Sequence, residues 1–135
     1  MRTFAHYDAS SIEEACAILD EYRGAARLNA GGSDLLSLLK GDVLPRYPEA
    51  IINIKTIPGL NYIEEDEHCL RIGALVSLAD MVRSPLLNHK YPLLVEAARQ
   101  VATPQIRNVA TIGGNLCQET RCWYYRYPEV IGGPL

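Results

Sequence analysis

Apolar positions in the first half of the chain fall into short runs around one amphipathic stretch. Residues 3–7 (Thr-Phe-Ala-His-Tyr) read as a brief strand that Asp8-Ala9-Ser10-Ser11 interrupts. Ile12, Ala15, Cys16, Leu19 and Tyr22 then recur at helical spacing, and Ser10 with Glu13 or Ser11 with Glu14 offers a capping box at the start. Cys16 falls on this stripe and is expected in the core. Arg23-Gly24 ends the helix. A strand over 26–29 runs into Gly31-Gly32, and a short helix over 34–40 is stopped by Gly41-Asp42. Pro45 and Pro48 mark an irregular connection, after which the β-branched run 50–54 has the character of a buried strand. The order strand, helix, strand, helix, strand predicts a small three-stranded parallel sheet wrapped by helices.

The pattern changes in the second half. Residues 60–64 and 69–72 flank the acidic turn Glu65-Asp66-Glu67-His68 as an antiparallel hairpin would, with the turn's charge serving solvation. His68 followed by Cys69 is either a metal pair or a bare surface histidine beside a thiol. Gly73 is either a close backbone approach or a plain strand end, before a helix over 78–83. Pro92 opens an amphipathic helix through Val101, with Leu93, Leu94, Ala97, Ala98 and Val101 expected inward and Glu96, Arg99 and Gln100 outward. The chain then enters residues 102–110, which alternate as a loop does. The fold class is α+β: a βαβαβ subdomain over 1–58 and the start of a second, antiparallel subdomain over 59–135, sharing one ligand.

Two glycine stretches carry the candidate chemistry. In Leu28-Asn29-Ala30-Gly31-Gly32-Ser33-Asp34-Leu35-Leu36 a strand turns into a helix through two residues without Cβ, so successive backbone N–H groups can form a concave anion nest at a helix start. Ser33 can cap that helix or donate its hydroxyl to the same anion. Thr111-Ile112-Gly113-Gly114-Asn115 repeats the device, and two nests suggest a dinucleotide. No G-x-G-x-x-G is present, so a Rossmann-type nicotinamide site is disfavoured. Arg107 is either a further phosphate ligand or a solvent-facing structural arginine.

Composition narrows the setting. The 135 residues are 48% hydrophobic and 21% charged with a formal charge of −3, which gives nothing for nucleic acid to bind. No apolar run approaches a membrane span, and residues 1–6 lack the apolar core of a signal peptide, so a cytoplasmic location is expected. Cys16, Cys69, Cys117 and Cys122 are too scattered for a secreted disulfide framework and are expected as thiols or metal ligands.

Together the two motifs resemble the FAD-binding, or medium, subunit of the molybdenum hydroxylases, the group of xanthine dehydrogenase, carbon monoxide dehydrogenase and 4-hydroxybenzoyl-CoA reductase. Ala30-Gly31-Gly32-Ser33-Asp34-Leu35 matches the first flavin loop of that family and Ile106-Arg107-Asn108-Val109-Ala110-Thr111-Ile112-Gly113-Gly114-Asn115 the second; Gly73-Ala74 before a helix also fits. The resemblance implies an FAD-binding PCMH-like fold with the flavin pyrophosphate between the loops. It implies cofactor contacts from Asn29, Ala30, Gly31, Gly32, Ser33, Asp34 and Leu35, and from Ala102, Thr111, Ile112, Gly113, Gly114, Asn115, Cys117 and Gln118. No residue is assigned to acid–base or nucleophilic catalysis, because the flavin carries the chemistry. The implied role is electron relay between iron–sulfur clusters and an external acceptor or donor, in a complex with a small 2Fe–2S subunit and a large molybdopterin-binding subunit.

Glu119-Thr120-Arg121-Cys122-Trp123-Tyr124-Tyr125 is similar to the branch of 4-hydroxybenzoyl-CoA reductase, whose flavin subunit holds an extra four-iron cluster. That similarity implies Cys122 as the first ligand of a 4Fe–4S cluster in the complete protein. The ligand set is incomplete here, since no cysteine follows Cys122 and a four-iron cluster takes four thiolates. The chain is therefore expected to correspond to the N-terminal portion of the family's flavin domain and to bind FAD poorly by itself. The alternative is a non-enzymatic flavin- or nucleotide-binding module; a cell-wall-type dehydrogenase with a related flavin fold shares only the general loop design.

Overall fold

The computed structural model describes residues 1–42, 44, 46–119 and 122–126; Pro45, the Thr120-Arg121 pair of the cysteine motif and residues 127–135 lie outside them. Strands β1 (Ala5–Asp8), β2 (Ala26–Asn29) and β3 (Ala50–Asn53) form a parallel sheet in the order β1-β3-β2. Helix α1 (Ile12–Glu21) joins β1 to β2, and α2 (Leu35–Gly41) joins β2 to β3. The central strand is buried along Ala50, Ile51 and Ile52, which is why its sequence is apolar without alternation.

Both serines share the start of α1. Ser11 Oγ accepts the Glu14 N–H (3.1 Å), while the Glu14 carboxylate accepts from the Ser10 N–H (2.7 Å) and hydroxyl (2.6 Å). The inward stripe is Ala15, Ile18, Leu19 and Tyr22. Cys16 is exposed, contrary to the expected core position. At 3.6 residues per turn it lies one step round from Ala15, off the stripe that faces the sheet. Arg23 (φ 45°) and Gly24 (φ 86°) turn the chain out of the helix.

In the second half β4 (Ile63–Glu65) and β5 (Leu70–Ile72) form the expected hairpin, with Ile63 opposite Ile72. The Asp66 carboxylate organises its turn, accepting from the N–H groups of His68 (2.8 Å) and Cys69 (2.9 Å) and pairing with Arg71. His68 and Cys69 are both exposed, and no group of three metal-ligating side chains forms among the described residues. Glu65 accepts hydrogen bonds from Lys90 Nζ and from Tyr91 Oη (2.6 Å), anchoring the hairpin to the helices. Those bonds, Lys90's first, hold the Glu65 carboxyl below its ordinary value.

Helix α3 (Leu78–Arg83) has Ser77 as its cap, and α4 (Pro85–Lys90), which the hydrophobic pattern leaves unassigned, starts at a Ser84-Pro85 cap. Helix α5 (Pro92–Gln100) packs on α3. Its buried residues are Val95 and Ala98; Leu93 is 84% exposed, and Leu94 and Ala97 also face outward. The expected inward face thus holds for Ala98 and for Val101, which packs on the core just past the helix, and fails for Leu93, Leu94 and Ala97. The face that packs is the one with smaller side chains, which lets two short helices approach closely.

The segment expected as a loop holds α6 (Pro104–Val109), capped by Thr103 with Pro104 in its first turn. Arg107 is not the solvent-facing residue that was one of its two readings. It is half-buried, and its Nη1 donates to the carbonyls of Val101 (2.8 Å) and Ala102 (3.1 Å). These bonds tie down a turn in which Ala102 takes the left-handed φ of 47°. Then follow α7 (Ile112–Leu116), capped by Thr111, and α8 (Trp123–Arg126).

Two apolar clusters result, one around Ala9, Ala26, Ala50 and Ile52, the other around Val76, Leu78, Met81, Leu87 and Val95. The glycine loops are where the two halves touch. A Cβ on Gly31 would lie 1.9 Å from Val109 O and 3.1 Å from Ala110 Cα, so this is backbone laid on backbone. Replacing Gly31 by Ala should cost about 2–3 kcal/mol in urea denaturation, because a carbonyl cannot give way as a flexible side chain can. Gly24→Ala, with open space around the new carbon but a left-handed φ, should cost only about 1 kcal/mol. Equal losses, or a larger loss at Gly24, would contradict the contact.

Candidate functional site

The carboxyl ends of β2 and β3 open onto a cavity of about 320 Å³, the side on which open parallel sheets receive ligands. Its walls bring the two glycine stretches together: Ala30, Gly31, Gly32, Ser33, Asp34 and Leu35 from the first, Thr111, Gly113 and Gly114 from the second. Cys117 lines it as well, as do the aliphatic side chains of Leu28, Leu38, Leu44 and Ile54. A second cavity of about 350 Å³ adjoins the first and shares Ser33 and Gly114 with it. This one is lined by Ala102, Asn115 and Gln118, with Ser37 and Ile106 opposite. Of the expected cofactor residues, Asn29 and Ile112 line neither cavity. Ile112 packs into the second core and donates its N–H to Val76 O (2.9 Å).

The two loops differ in what they can offer a ligand. In the first, the backbone bonds resume only with Leu36, whose N–H donates to Gly32 O (3.0 Å). Among the described residues no acceptor takes the N–H groups of Ala30, Gly31, Gly32 or Ser33. Asn29 Oδ1 is likewise buried without a partner among them, beneath a Gly32 whose added Cβ would lie 3.1 Å away. Ser33 does not cap α2. The cap position is Asp34, whose carboxylate instead accepts the Glu119 N–H (3.0 Å), tying the loop to the residues after α7.

In the second loop the donors are already committed. Gly113 N–H goes to Ala74 O (3.0 Å), Gly114 N–H to Thr111 Oγ1 (3.2 Å) and Asn115 N–H to Thr111 O (2.8 Å). Thr111 is buried yet is among the residues lining the cavity, and its hydroxyl hydrogen is left to donate, since Oγ1 acts as acceptor toward Gly114. Gly113 is needed for contact, because a Cβ there would meet Ala74 Cβ and Ala74 O at 2.9 Å. Gly73, by contrast, is a close approach to Leu60 O (2.3 Å from an added Cβ) and lines neither cavity; its neighbour Ala74 does line the first.

An anionic, partly aromatic ligand of FAD's kind fits these residues, with bare donors on one loop, a hydroxyl on the other and aliphatic walls beside both. A four-iron cluster does not. Cys122 is a partly buried thiol, Cys117 belongs to the cavity wall, and four thiolates are not assembled among the described residues. Sequence reading missed the aliphatic wall and Glu119, and also Lys55, which lines neither cavity but whose Nζ lies 3.2 Å from Ala30 O. Their signal was available: Leu28, Ile54 and Lys55 sit where two parallel strands end.

Known proteins share this arrangement. Residues 2–122 match the model of the FAD binding domain in molybdopterin dehydrogenase. The carbon monoxide dehydrogenase medium chain of Hydrogenophaga pseudoflava is 39% identical over 113 residues, covering 84% of this chain and 39% of that one. The aldehyde oxidoreductase FAD-binding subunit PaoB of Escherichia coli is 36% identical over 126 residues, 93% of this chain and 38% of its own. Among solved structures, carbon monoxide dehydrogenase from Hydrogenophaga pseudoflava superposes with a TM-score of 0.80 at 38% identity, over 85% of this chain and 39% of that chain. Quinoline 2-oxidoreductase from Pseudomonas putida 86 superposes at 0.79 with 28% identity, over 85% and 39%. The chain spans under half the length of these relatives. With its parallel sheet, its paired glycine loops and a match over nearly its whole length, the chain belongs to the FAD-binding domain family of the molybdopterin dehydrogenases.

Proposed function

We propose that this chain is the FAD-binding part of a molybdopterin-dependent oxidoreductase complex of the xanthine dehydrogenase or 4-hydroxybenzoyl-CoA reductase type. In this reading it passes electrons between the clusters of a small 2Fe–2S subunit and an external acceptor or donor, and substrate is transformed on a large molybdopterin-binding subunit. The observation that carries it is the shared cavity, in which uncommitted N–H groups of one glycine loop face the hydroxyl-bearing second loop. Relatives that are medium chains or FAD subunits of such dehydrogenases support it.

Ala30, Gly31, Gly32 and Ser33 would hold the diphosphate through backbone N–H groups, with the Thr111 hydroxyl as a directed donor. Each such bond to a charged oxygen contributes on the order of 1.5–3 kcal/mol. Leu28, Leu35, Leu38 and Ile54 offer apolar surface, and Ala102, Asn115 and Gln118 bound the adjoining cavity. Bound FAD supplies the exchange between one- and two-electron carriers. Residues 1–58 and 59–135 act as two subdomains gripping that one ligand. We place the complex in the cytoplasm, since all four cysteines are unpaired thiols, the state a reducing compartment maintains.

The test is anaerobic. The chain with excess FAD is mixed with a dithionite-reduced 2Fe–2S protein freed of dithionite, and the oxidised-flavin absorbance of the bound fraction is followed. Its bleaching is the expected result. Bound flavin that stays oxidised would leave a binding module without electron transfer, and a chain that takes up no FAD even at the highest soluble FAD concentration would overturn the reading altogether.

A further inference from the structure

The first glycine loop has a basic neighbour that lies outside its own motif. Lys55 follows β3 directly, and two bonds hold the backbone there. Ile54 N–H donates to Asn29 O (3.1 Å), carrying the β2–β3 alignment one residue past the strands, and Lys55 N–H donates to Asn53 Oδ1 (3.2 Å). Asn53 is itself steadied by its bond to Asp8 Oδ1 (2.7 Å). From this edge Lys55 Nζ reaches Ala30 O at 3.2 Å, the carbonyl at the head of the loop. An ammonium has three N–H donors, and Ala30 O takes one.

The charge around the cavity gives this lysine a task. Asp34 and Glu119 both contribute to the wall, the Asp34 carboxylate accepting the Glu119 N–H (3.0 Å), so a diphosphate there lies beside acidic residues as well as N–H groups. Arg27 also lines the wall, but its Nη1 donates to Gly24 O and Ala26 O (3.1 Å each), back along its own strand. Lys55 is exposed, and a flexible four-carbon stem lets its ammonium move a few ångströms while the backbone stays in place. We propose that Lys55 is a cationic arm of the site, moving from Ala30 O onto a non-bridging oxygen of the diphosphate. This rests on the reading above that the loop holds the diphosphate of a dinucleotide.

Lys55→Met and Lys55→Arg in the whole chain test it, with dissociation constants for FAD, ADP and riboflavin at low and high salt. Lys55→Met should weaken FAD and ADP by a similar factor, about three- to tenfold for a partly exposed charged contact. It should leave riboflavin, which has no phosphate, unchanged, and flatten the salt dependence of FAD binding. Lys55→Arg should recover most of the loss. Native affinity for FAD and ADP in Lys55→Met, or an equal loss of riboflavin, would overturn the assignment while leaving the flavin site standing. An unsubstituted chain that binds neither FAD nor ADP even at their highest soluble concentrations would overturn both.

Discussion

Gly31 lies against the backbone at Val109 and Ala110 so closely that no side chain can stand between them, and the arrangement of the rest follows from that contact. It sets the turn after β2 on the end of α6, bringing together two halves whose apolar clusters are separate. Gly113 makes a comparable approach to Ala74, so α7 is seated on the segment between β5 and α3. The cavity is the space left where these two contacts hold four stretches of backbone side by side. Small residues at 30–32, 74 and 113–114 thus leave room for a ligand at a junction where larger side chains would fill it.

The two glycine stretches look alike in sequence and divide the work in space. Among the described residues the N–H groups of the first have no protein acceptor, and the buried Asn29 Oδ1 beneath them has no partner. The second has turned its N–H groups inward, to Ala74 O and to Thr111, and presents one hydroxyl. Anion binding is proposed chiefly for the first loop, and precise seating for the second. Arg107 supports the second indirectly, by holding the left-handed turn at Ala102 from which α6 departs toward Gly31.

Much of this was legible along the chain. The β-branched run at 50–53, the Ser11–Glu14 cap and the Gly24 and Asp42 stops follow from local chemistry, and the structure shows each of them. The proximity of the glycine stretches followed from the resemblance of the motifs, and the shared cavity agrees with it. What failed did so where tertiary packing overrides local pattern. Leu93 and Leu94 are more apolar than Val95 and Ala98, yet α5 turns its smaller residues toward α3. Cys16 needed only a 100° step to leave the core face. The short helix α6 was hidden because its Thr103-Pro104 start precedes a segment without a buried residue. Thr111 was a local signal for the committed N–H groups of Gly114 and Asn115, whereas the acceptors of Ile112 and Gly113 lie far along the chain, on residues 76 and 74.

Amide hydrogen exchange on the chain with and without FAD measures this division of roles most directly. The N–H groups of Gly31, Gly32 and Ser33 should exchange fast in the free chain and become protected when FAD binds, while those of Gly113 and Gly114 are already protected and change little. Protection appearing at Gly113 and Gly114 on binding, with Gly31 to Ser33 unaffected, would contradict it.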